Sequence, residues 1–278
     1  MTVLPCHLIW NPEMSPFSFL GFEIRYYSLC WMIGLALGYF IMLWLYKQQK
    51  VNEKLFEPLF IYCFIGILVG ARLGHCIFYE PQQYLTSVKG FLEMLLPLHF
   101  APDSWEWRFT GYQGLASHGG TIGLFTALWL YCRKTKLSFA WVLDNIAITT
   151  PIVAAMIRLG NFMNSEILGR ATESPLGIIF AQVDNIPRHP AQLYEAIAYL
   201  IFFIGGWILY KKFPKKVGSL FYFGYCLTTI FTFRFFVEFI KEVQVEFEQN
   251  MALDMGQWLS IPFVIIGVVC MIISRKKG

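Results

Sequence analysis

The chain contains seven apolar segments, each long enough to cross the hydrocarbon core of a membrane as a helix. A crossing helix needs about 20 mostly apolar residues, because this core is about 30 Å thick. Helices satisfy their own backbone hydrogen bonds in lipid, so we predict an all-α polytopic membrane protein with seven transmembrane helices. The segments are residues 24–46, 56–79, 115–132, 139–162, 191–210, 217–240 and 257–274.

The low proportion of charged residues also favours a membrane location. Hydrophobic residues make up 56% of the chain and charged residues 14%, and the mean hydropathy is +0.52. Soluble domains carry about 25% charged residues, so this chain has too little polar surface to cover a soluble particle. The formal net charge of +4 is interpreted as a membrane orientation signal, so we predict membrane lipids as partners and no nucleic acid.

Basic residues predict the orientation of the chain, because cytoplasmic loops are enriched in Lys and Arg. Basic clusters follow the first, third, fifth and seventh segments, which places all four on one side of the membrane. We therefore predict an extracytoplasmic N-terminus and a cytoplasmic C-terminus. The clusters are Lys47, Lys50 and Lys54; Arg133, Lys134 and Lys136; Lys211, Lys212, Lys215 and Lys216; and Arg275, Lys276 and Lys277.

Two extracytoplasmic segments are too long to be simple turns. Residues 80–114 alternate aromatic and polar side chains, which is typical of an interfacial arm on the outer leaflet. Residues 165–190 are predicted to form a small extracytoplasmic cap, in which His189 serves a turn rather than catalysis. No internal repeat is found, so residues 1–278 are predicted to be a single membrane-embedded domain.

One polar stretch directly follows an apolar segment: RLGNFMNSEILGR, residues 158–170. An ionisable side chain at the centre of a membrane helix costs about 2.5–3.5 kcal/mol, so it persists only with a partner or a function. On a helix, Arg158 and Asn161 are three residues apart and share a face. The stretch therefore predicts a functional site.

The motif SHGG, residues 117–120, places His118 beside two glycines at the outer end of the third segment. The glycines would let a ligand approach a ring that can accept a proton near neutral pH. The alternative is a hydrogen-bonded histidine at a helix end, with glycines that serve helix packing.

Arginines recur at a similar predicted depth. Arg234 and Glu238 are four residues apart and either form a structural ion pair or line a cavity. Together with Arg158, and more weakly Arg72, they would form a phosphate receptor, because guanidinium groups bind phosphate oxygens bidentately. A phospholipid head group is the phosphate most available there, which leaves open a flippase, a channel or a lipid-using enzyme.

Seven blocks of the chain resemble, in order, those of the prolipoprotein diacylglyceryl transferases, the bacterial enzymes that begin lipoprotein maturation. The resemblance implies a location in the bacterial cytoplasmic (inner) membrane. The blocks are RYYSL (25–29), GARLGHCIFY (70–79), SHGGTIG (117–123), RLGNFMNSEILGR (158–170), PRHPAQLYE (187–195), FRFFVEF (233–239) and MGQWLSIP (255–262).

By this resemblance, the protein would move the diacylglyceryl group of phosphatidylglycerol onto a thiol. The acceptor would be the lipobox cysteine in the signal peptide of a preprolipoprotein, which leaves a thioether and releases glycerol 1-phosphate. The nucleophile would then belong to the substrate, which fits the seven scattered cysteines of this chain. No cofactor and no metal are expected, since no Asp/Glu cluster offers a magnesium site.

The resemblance also implies roles for individual residues. Arg158 would hold the lipid phosphate, and Arg234 would stabilise charge on the departing glycerophosphate oxygen. Tyr27 would contact the head group. His118 would be the base that generates the thiolate or, alternatively, a positioning donor.

Four further residues would support these groups. Asn161 and Glu166 would orient them, Gly169 would permit close backbone approach, and Glu238 would hold Arg234 in place.

Two functions from other classes make different demands on the sequence. A phospholipid flippase or transporter would use the same arginines, but should show paired broken helices or internal symmetry, which the sequence lacks. An alcohol phosphotransferase would need an aspartate-rich metal motif, yet only Asp144 lies in a predicted span.

Overall fold

The computed structural model describes residues 7–13, 15, 17–19, 22–101, 104–112, 114–242 and 253–276. Cys6, one of the seven cysteines, lies outside these residues. The helices are α1 (Tyr26–Gln48), α2 (Phe56–Phe78), α3 (Pro81–Tyr84), α4 (Val88–Leu95), α5 (Ser117–Thr135), α6 (Phe139–Met163), α7 (Ala191–Lys212), α8 (Phe221–Val237) and α9 (Met255–Lys276). The strands are β1 (Leu8–Trp10), β2 (Phe17–Phe19), β3 (Phe22–Ile24), β4 (Leu98–Phe100), β5 (Trp107–Phe109), β6 (Ile178–Phe180) and β7 (Pro187–Arg188).

Six helices of the described chain are long and apolar enough to cross a membrane: α1, α2, α6, α7, α8 and α9. Each lies within a few residues of a predicted segment, so the all-α polytopic membrane class is confirmed. The third predicted segment is also helical, as the 19-residue α5, but it does not meet the same criterion. Its first turns read SHGGTIG and its last turn carries Arg133 and Lys134, which leaves too short an apolar stretch.

The contacts divide the chain into two compact units. Residues 46–142 form one unit, in which α2 and α5 pack closely along a row of glycines. A Cβ atom at Gly74 would lie only 2.8 Å from the Cα of Gly119. The glycines of SHGG therefore include one that serves helix packing, as the structural alternative predicted.

The predicted interfacial arm of the same unit consists of the short helices α3 and α4 and the antiparallel pair β4 and β5. Trp107 and Phe109 on β5 are exposed, as expected of an interfacial strand. Arg72 is buried and donates a hydrogen bond of 2.7 Å from Nη2 to the carbonyl of Glu93 in the arm. Its guanidinium also lies 4.7 Å from the centre of the Tyr84 ring. These contacts show that the guanidinium holds the arm, and the place of Arg72 in a phosphate receptor stays a prediction.

Residues 1–45 and 143–278 form the other unit. Asp144 is fully buried and caps the N-terminal end of α8, accepting hydrogen bonds of 2.8–2.9 Å from the backbone N–H groups of Gly218, Leu220 and Phe223. This explains an acidic residue in an apolar helix, because the first amides of α8 have no partner within their own helix.

The predicted cap folds as a three-stranded sheet of order β1-β6-β7, in which β1 is parallel and β7 antiparallel to β6. Trp10, Phe162 and Phe180 pack beneath it. Arg188 donates two hydrogen bonds to Asp184, of 2.6 and 3.0 Å, which lowers the pKa of that carboxyl. The sheet thus joins the N-terminal strand β1 to the connection between α6 and α7.

Candidate active site

The polar stretch after Ile157 forms a connected hydrogen-bond network. Arg158 Nη1 donates to Asn161 Oδ1 at 3.1 Å, which confirms that the two side chains share a face of α6. Asn161 Nδ2 and Asn164 Nδ2 donate to the two carboxylate oxygens of Glu166, at 3.2 and 3.0 Å. Glu166 therefore fixes both asparagines, and Asn161 in turn fixes Arg158.

The backbone around Glu166 has an uncommon conformation. Ser165 and Ile167 have φ values of 54° and 57°, in the left-handed region that β-branched residues such as isoleucine rarely adopt. Such strain concentrates at functional sites, where the surrounding structure imposes it. Here the two residues bracket Glu166 while its N–H remains bonded, at 3.0 Å, to the carbonyl of Asn161.

Helix α7 adds two fully buried polar residues to this network. Glu195 Oε2 lies 3.1 Å from Arg158 Nε, although in a geometry too bent for a hydrogen bond. Gln192, three residues earlier on the same face, donates from Nε2 to the carbonyl of Glu166. Because Gln192 and Glu195 contact opposite ends of the α6 network, the polar groups form a closed ring.

The segment after α8 supplies a second cation. Lys241 Nζ lies 3.3 Å from Glu195 Oε1 and 3.0 Å from Glu238 Oε2, and the lysine is buried. Tyr199 donates to Glu195 Oε1 at 3.2 Å. One buried carboxylate thus has three polar partners.

The predicted ion pair between Arg234 and Glu238 is not among the ion pairs of the described residues. The two residues keep their i,i+4 spacing, because the N–H of Glu238 donates to the carbonyl of Arg234, but the carboxylate of Glu238 is engaged elsewhere. Glu238 instead pairs with Lys241 at i,i+3. The expectation that Glu238 holds Arg234 through such a pair is therefore wrong.

Arg234 lies in the last turn of α8 and is half-buried. Its guanidinium makes no hydrogen bond or ion pair with the described part of the chain. Both arginines are near enough to Tyr199 for their charges to act on it. Within the described residues, Arg234 is therefore a cation without a partner near the network.

Tyr27 and Gly169 occupy close-packed positions beside the network. The Tyr27 ring packs against α6 at Gly160, where an added Cβ would lie 3.0 Å from ring atom Cδ2. At Gly169 a Cβ would lie 2.5 Å from the Cβ of His189 and 2.9 Å from the carbonyl oxygen of Ile240. The close approach at Gly169 is thus to other parts of the protein, and its role toward the substrate stays a prediction.

His189 takes part in backbone pairing. Its N–H donates to the carbonyl of Arg170 at 3.1 Å, and its carbonyl accepts from the N–H of Gly169 at 2.9 Å. These bonds agree with the structural role predicted for the PRHP segment.

His118 lies in the first turn of α5, is exposed, and belongs to the compact unit of residues 46–142. Its role as a base or as a positioning donor stays a prediction.

The prolipoprotein diacylglyceryl transferase family model matches residues 15–273 of the chain. A phosphatidylglycerol-prolipoprotein diacylglyceryl transferase of Bacteroides fragilis is 58% identical over 268 residues, covering 96% of this chain and 95% of the relative. Enzymes of the same name from Porphyromonas gingivalis and Tolumonas auensis are 41% and 38% identical, with 97% or more of each chain covered. The chain belongs to the prolipoprotein diacylglyceryl transferase family.

Within this diacylglyceryl transferase, sequence reasoning missed Gln192, Glu195 and Lys241. The signal for Glu195 was present, because a carboxylate inside an apolar helix costs as much as the arginines that were noticed. Gln192 lies on the same helical face, three residues earlier. Lys241 directly follows the predicted sixth span, where no motif marks it as part of a site.

Proposed function

We propose that this transferase moves the diacylglyceryl group of phosphatidylglycerol to the lipobox cysteine thiol of a preprolipoprotein, at the outer face of the bacterial cytoplasmic membrane. A bond forms between the cysteine sulfur and the terminal glycerol carbon of the diacylglyceryl group. The bond from that carbon to the phosphate oxygen breaks, and its electron pair leaves on glycerol 1-phosphate. A base takes the thiol proton.

The observation that carries this proposal is the state of the two arginines. Arg158 is held through Nε and Nη1, and Nη2 makes no hydrogen bond with the described residues. Arg234 makes none at all with that part of the chain. Both guanidinium groups lie near Tyr199; that of Arg158 is held in place and that of Arg234 has no hydrogen-bond partner in the described residues. Two such groups can bind a phosphodiester whose negative charge increases as the leaving group departs.

The remaining residues support these two cations. Asn161 and Glu166 orient Arg158, while Glu195, Lys241 and Glu238 form, together with Arg158, a charge-balanced cluster next to α8. This cluster replaces the direct pairing first expected between Glu238 and Arg234.

Three further residues would act on the substrates. Tyr27 would contact the lipid head group from α1, and Gly169 would keep the backbone close around the site. His118 would take the thiol proton or position the reacting groups.

The membrane arrangement that fits this reaction has seven crossings, with α5 as the third. The N-terminus, the arm of residues 80–114 and the cap of residues 165–190 would then lie outside, and the site would open at the outer leaflet. The four basic clusters on the opposite side support this orientation.

The test is a transfer assay with the full chain in detergent, phosphatidylglycerol and a lipobox peptide. We expect a gain in peptide mass equal to one diacylglyceryl group, release of glycerol 1-phosphate, and no change in a peptide with Cys→Ser. Arg234→Gln should lower turnover about 100- to 1000-fold, while the exposed Arg133→Gln should not. Movement of phosphatidylglycerol between the two leaflets of vesicle membranes, without any modified peptide, would instead favour a flippase.

A further inference from the structure

The described part of the chain contains four buried side-chain polar atoms that have no hydrogen-bond partner. All four belong either to the two residues that precede Glu166 or to the two residues of α7 that join the network. They are Asn164 Oδ1, Ser165 Oγ, Gln192 Oε1 and Glu195 Oε2, of which only Glu195 Oε2 has an ion-pair partner, the Nε of Arg158 at 3.1 Å. Buried polar atoms are nearly always paired, so unpaired atoms gathered at one place indicate a missing polar partner. Elsewhere the described buried polar side-chain atoms are satisfied within the protein.

The two amide oxygens are firmly assigned. The carbonyl of Glu166 can only accept, so the Gln192 atom that contacts it must be the NH2 group. In the same way, the carboxylate of Glu166 requires the NH2 group of Asn164 at 3.0 Å. Both amide oxygens are consequently left as free acceptors.

The four residues are close to one another in the fold, through contacts with Glu166, neighbouring positions in sequence, or a shared helix. Gln192 and Asn164 both bond to Glu166, Ser165 lies between Asn164 and Glu166 in sequence, and Glu195 lies one helical turn after Gln192. A ligand that occupied this place would meet three acceptor oxygens and one hydroxyl, next to the guanidinium of Arg158.

This chemistry favours a ligand that donates hydrogen bonds through neutral groups. Glu195 is already 3.1 Å from Arg158 and 3.3 Å from Lys241, so a cationic donor such as an ammonium group would be placed beside two positive charges. Hydroxyl groups donate without that repulsion. A phosphate on the same ligand would lie toward the arginines.

We propose that these four atoms bind the free hydroxyl groups of the phosphatidylglycerol head group, and that Gln192 and Ser165 thereby determine head-group specificity, an assignment that rests on the proposed function. The glycerol of the head group carries two hydroxyls, which become part of the departing glycerol 1-phosphate. A head group without hydroxyls leaves buried acceptors unpaired, and sites of this kind discriminate strongly against such analogues.

The test compares kcat/KM for phosphatidylglycerol, phosphatidyl-1,3-propanediol with one hydroxyl, and phosphatidylethanol with none, using the full chain in detergent. The wild-type protein should lose about 10- to 100-fold in kcat/KM between phosphatidylglycerol and phosphatidylethanol. Gln192→Met and Ser165→Ala should bring that ratio toward one. General damage to the fold would lower both rates together and leave the ratio unchanged.

A matched control is Ser274→Ala, because Ser274 is a buried serine of the same unit whose hydroxyl donates to the carbonyl of Met271 at 2.7 Å. Its ratio should stay at the wild-type value. Equal use of phosphatidylglycerol and phosphatidylethanol by the wild type, or an unchanged ratio in both variants, would overturn the assignment. Preference for phosphatidylethanolamine would show that the atoms bind an ammonium group instead. Failure of the proposed function would look different, since no lipid would then yield a modified peptide.

Discussion

Glu195 carries a negative charge that contacts two cations, the partly buried Arg158 and the buried Lys241. Its carboxylate oxygens contact Arg158 on one side and Lys241 on the other, and Tyr199 donates a third contact. Removing one partner from such a buried group leaves an uncompensated charge, which destabilises proteins by about 3–5 kcal/mol. The carboxylate therefore matters for folding as well as for the orientation of Arg158.

Replacement of Glu195 by glutamine should reduce both stability and transfer. Glu195→Gln keeps the shape of the side chain but leaves Arg158 and Lys241 with excess positive charge, so the free energy of unfolding should fall by about 3–5 kcal/mol. Adding Lys241→Met should restore part of the stability, because the charge balance returns, while transfer stays low since Arg158 is still misplaced. Thermal unfolding in detergent and the transfer assay measure the two effects. A single variant as stable as the wild type would show that the buried pairs contribute nothing.

Among the side-chain contacts of the site, the sequence could predict those within one helix but not those between helices. The bond from Arg158 to Asn161 followed from their spacing of three residues. The contacts of Gln192 and Glu195 with Arg158 and Glu166 join positions about 30 residues apart, and depend on how α7 packs against α6. No periodicity within a single segment contains that information.

At the scale of elements, the close packing of α2 and α5 depends on glycine. Two glycines of the contact between α2 and α5 differ in the space available for an added Cβ atom. A Cβ at Gly74 would lie 2.8 Å from the Cα of Gly119, whereas one at Gly120 would lie 3.4 Å from the Cβ of Ala71. The first contact requires the helices to move apart, and the second is close to ordinary van der Waals distance.

Gly74→Ala should therefore lower the unfolding temperature of the protein, and Gly120→Ala should leave it unchanged or raise it slightly. Overpacking costs about 1–3 kcal/mol, while alanine gains up to about 1 kcal/mol over glycine in helix propensity. Both changes add one methyl group to the same pair of helices, so each is the control for the other. Equal unfolding temperatures of the two variants in detergent would show that α2 and α5 are not closely packed at Gly74.

Element positions were largely predictable, and the contacts made at their ends were not. The apolar segments located the long helices because length and apolarity are properties of single segments. The sixth span was predicted to end at residue 240, and the apolar helix of the structure also ends there. The sequence did not reveal that its last turn, Glu238–Ile240, is a 3-10 turn followed by a backbone bridge between Lys241 and Gly169, far apart in sequence. Nor did it reveal that Lys241 pairs with both Glu195 and Glu238.

At the scale of the whole molecule, the chain divides into two compact units without any loop to mark the division. The boundaries fall within α1 and α6. The sequence therefore could not reveal these boundaries, because a continuous helix contains neither a linker nor a change in composition where one unit ends and the other begins. A single membrane-embedded domain of residues 1–278 stays a prediction, as does the direction in which the chain crosses the membrane.

The direction of crossing can be tested by cysteine labelling with a membrane-impermeant maleimide on spheroplasts. Glu173→Cys, at an exposed position in the cap, should be labelled from outside, whereas Lys54→Cys, at an exposed position after α1, should react only after the membrane is broken. The basic residues after α1 predict this because cytoplasmic loops retain Lys and Arg. The unsubstituted protein is the control, since its described cysteines are buried or partly buried. Labelling of Lys54→Cys in sealed spheroplasts would show that the orientation is the opposite of the predicted one. The site would then open at the inner leaflet.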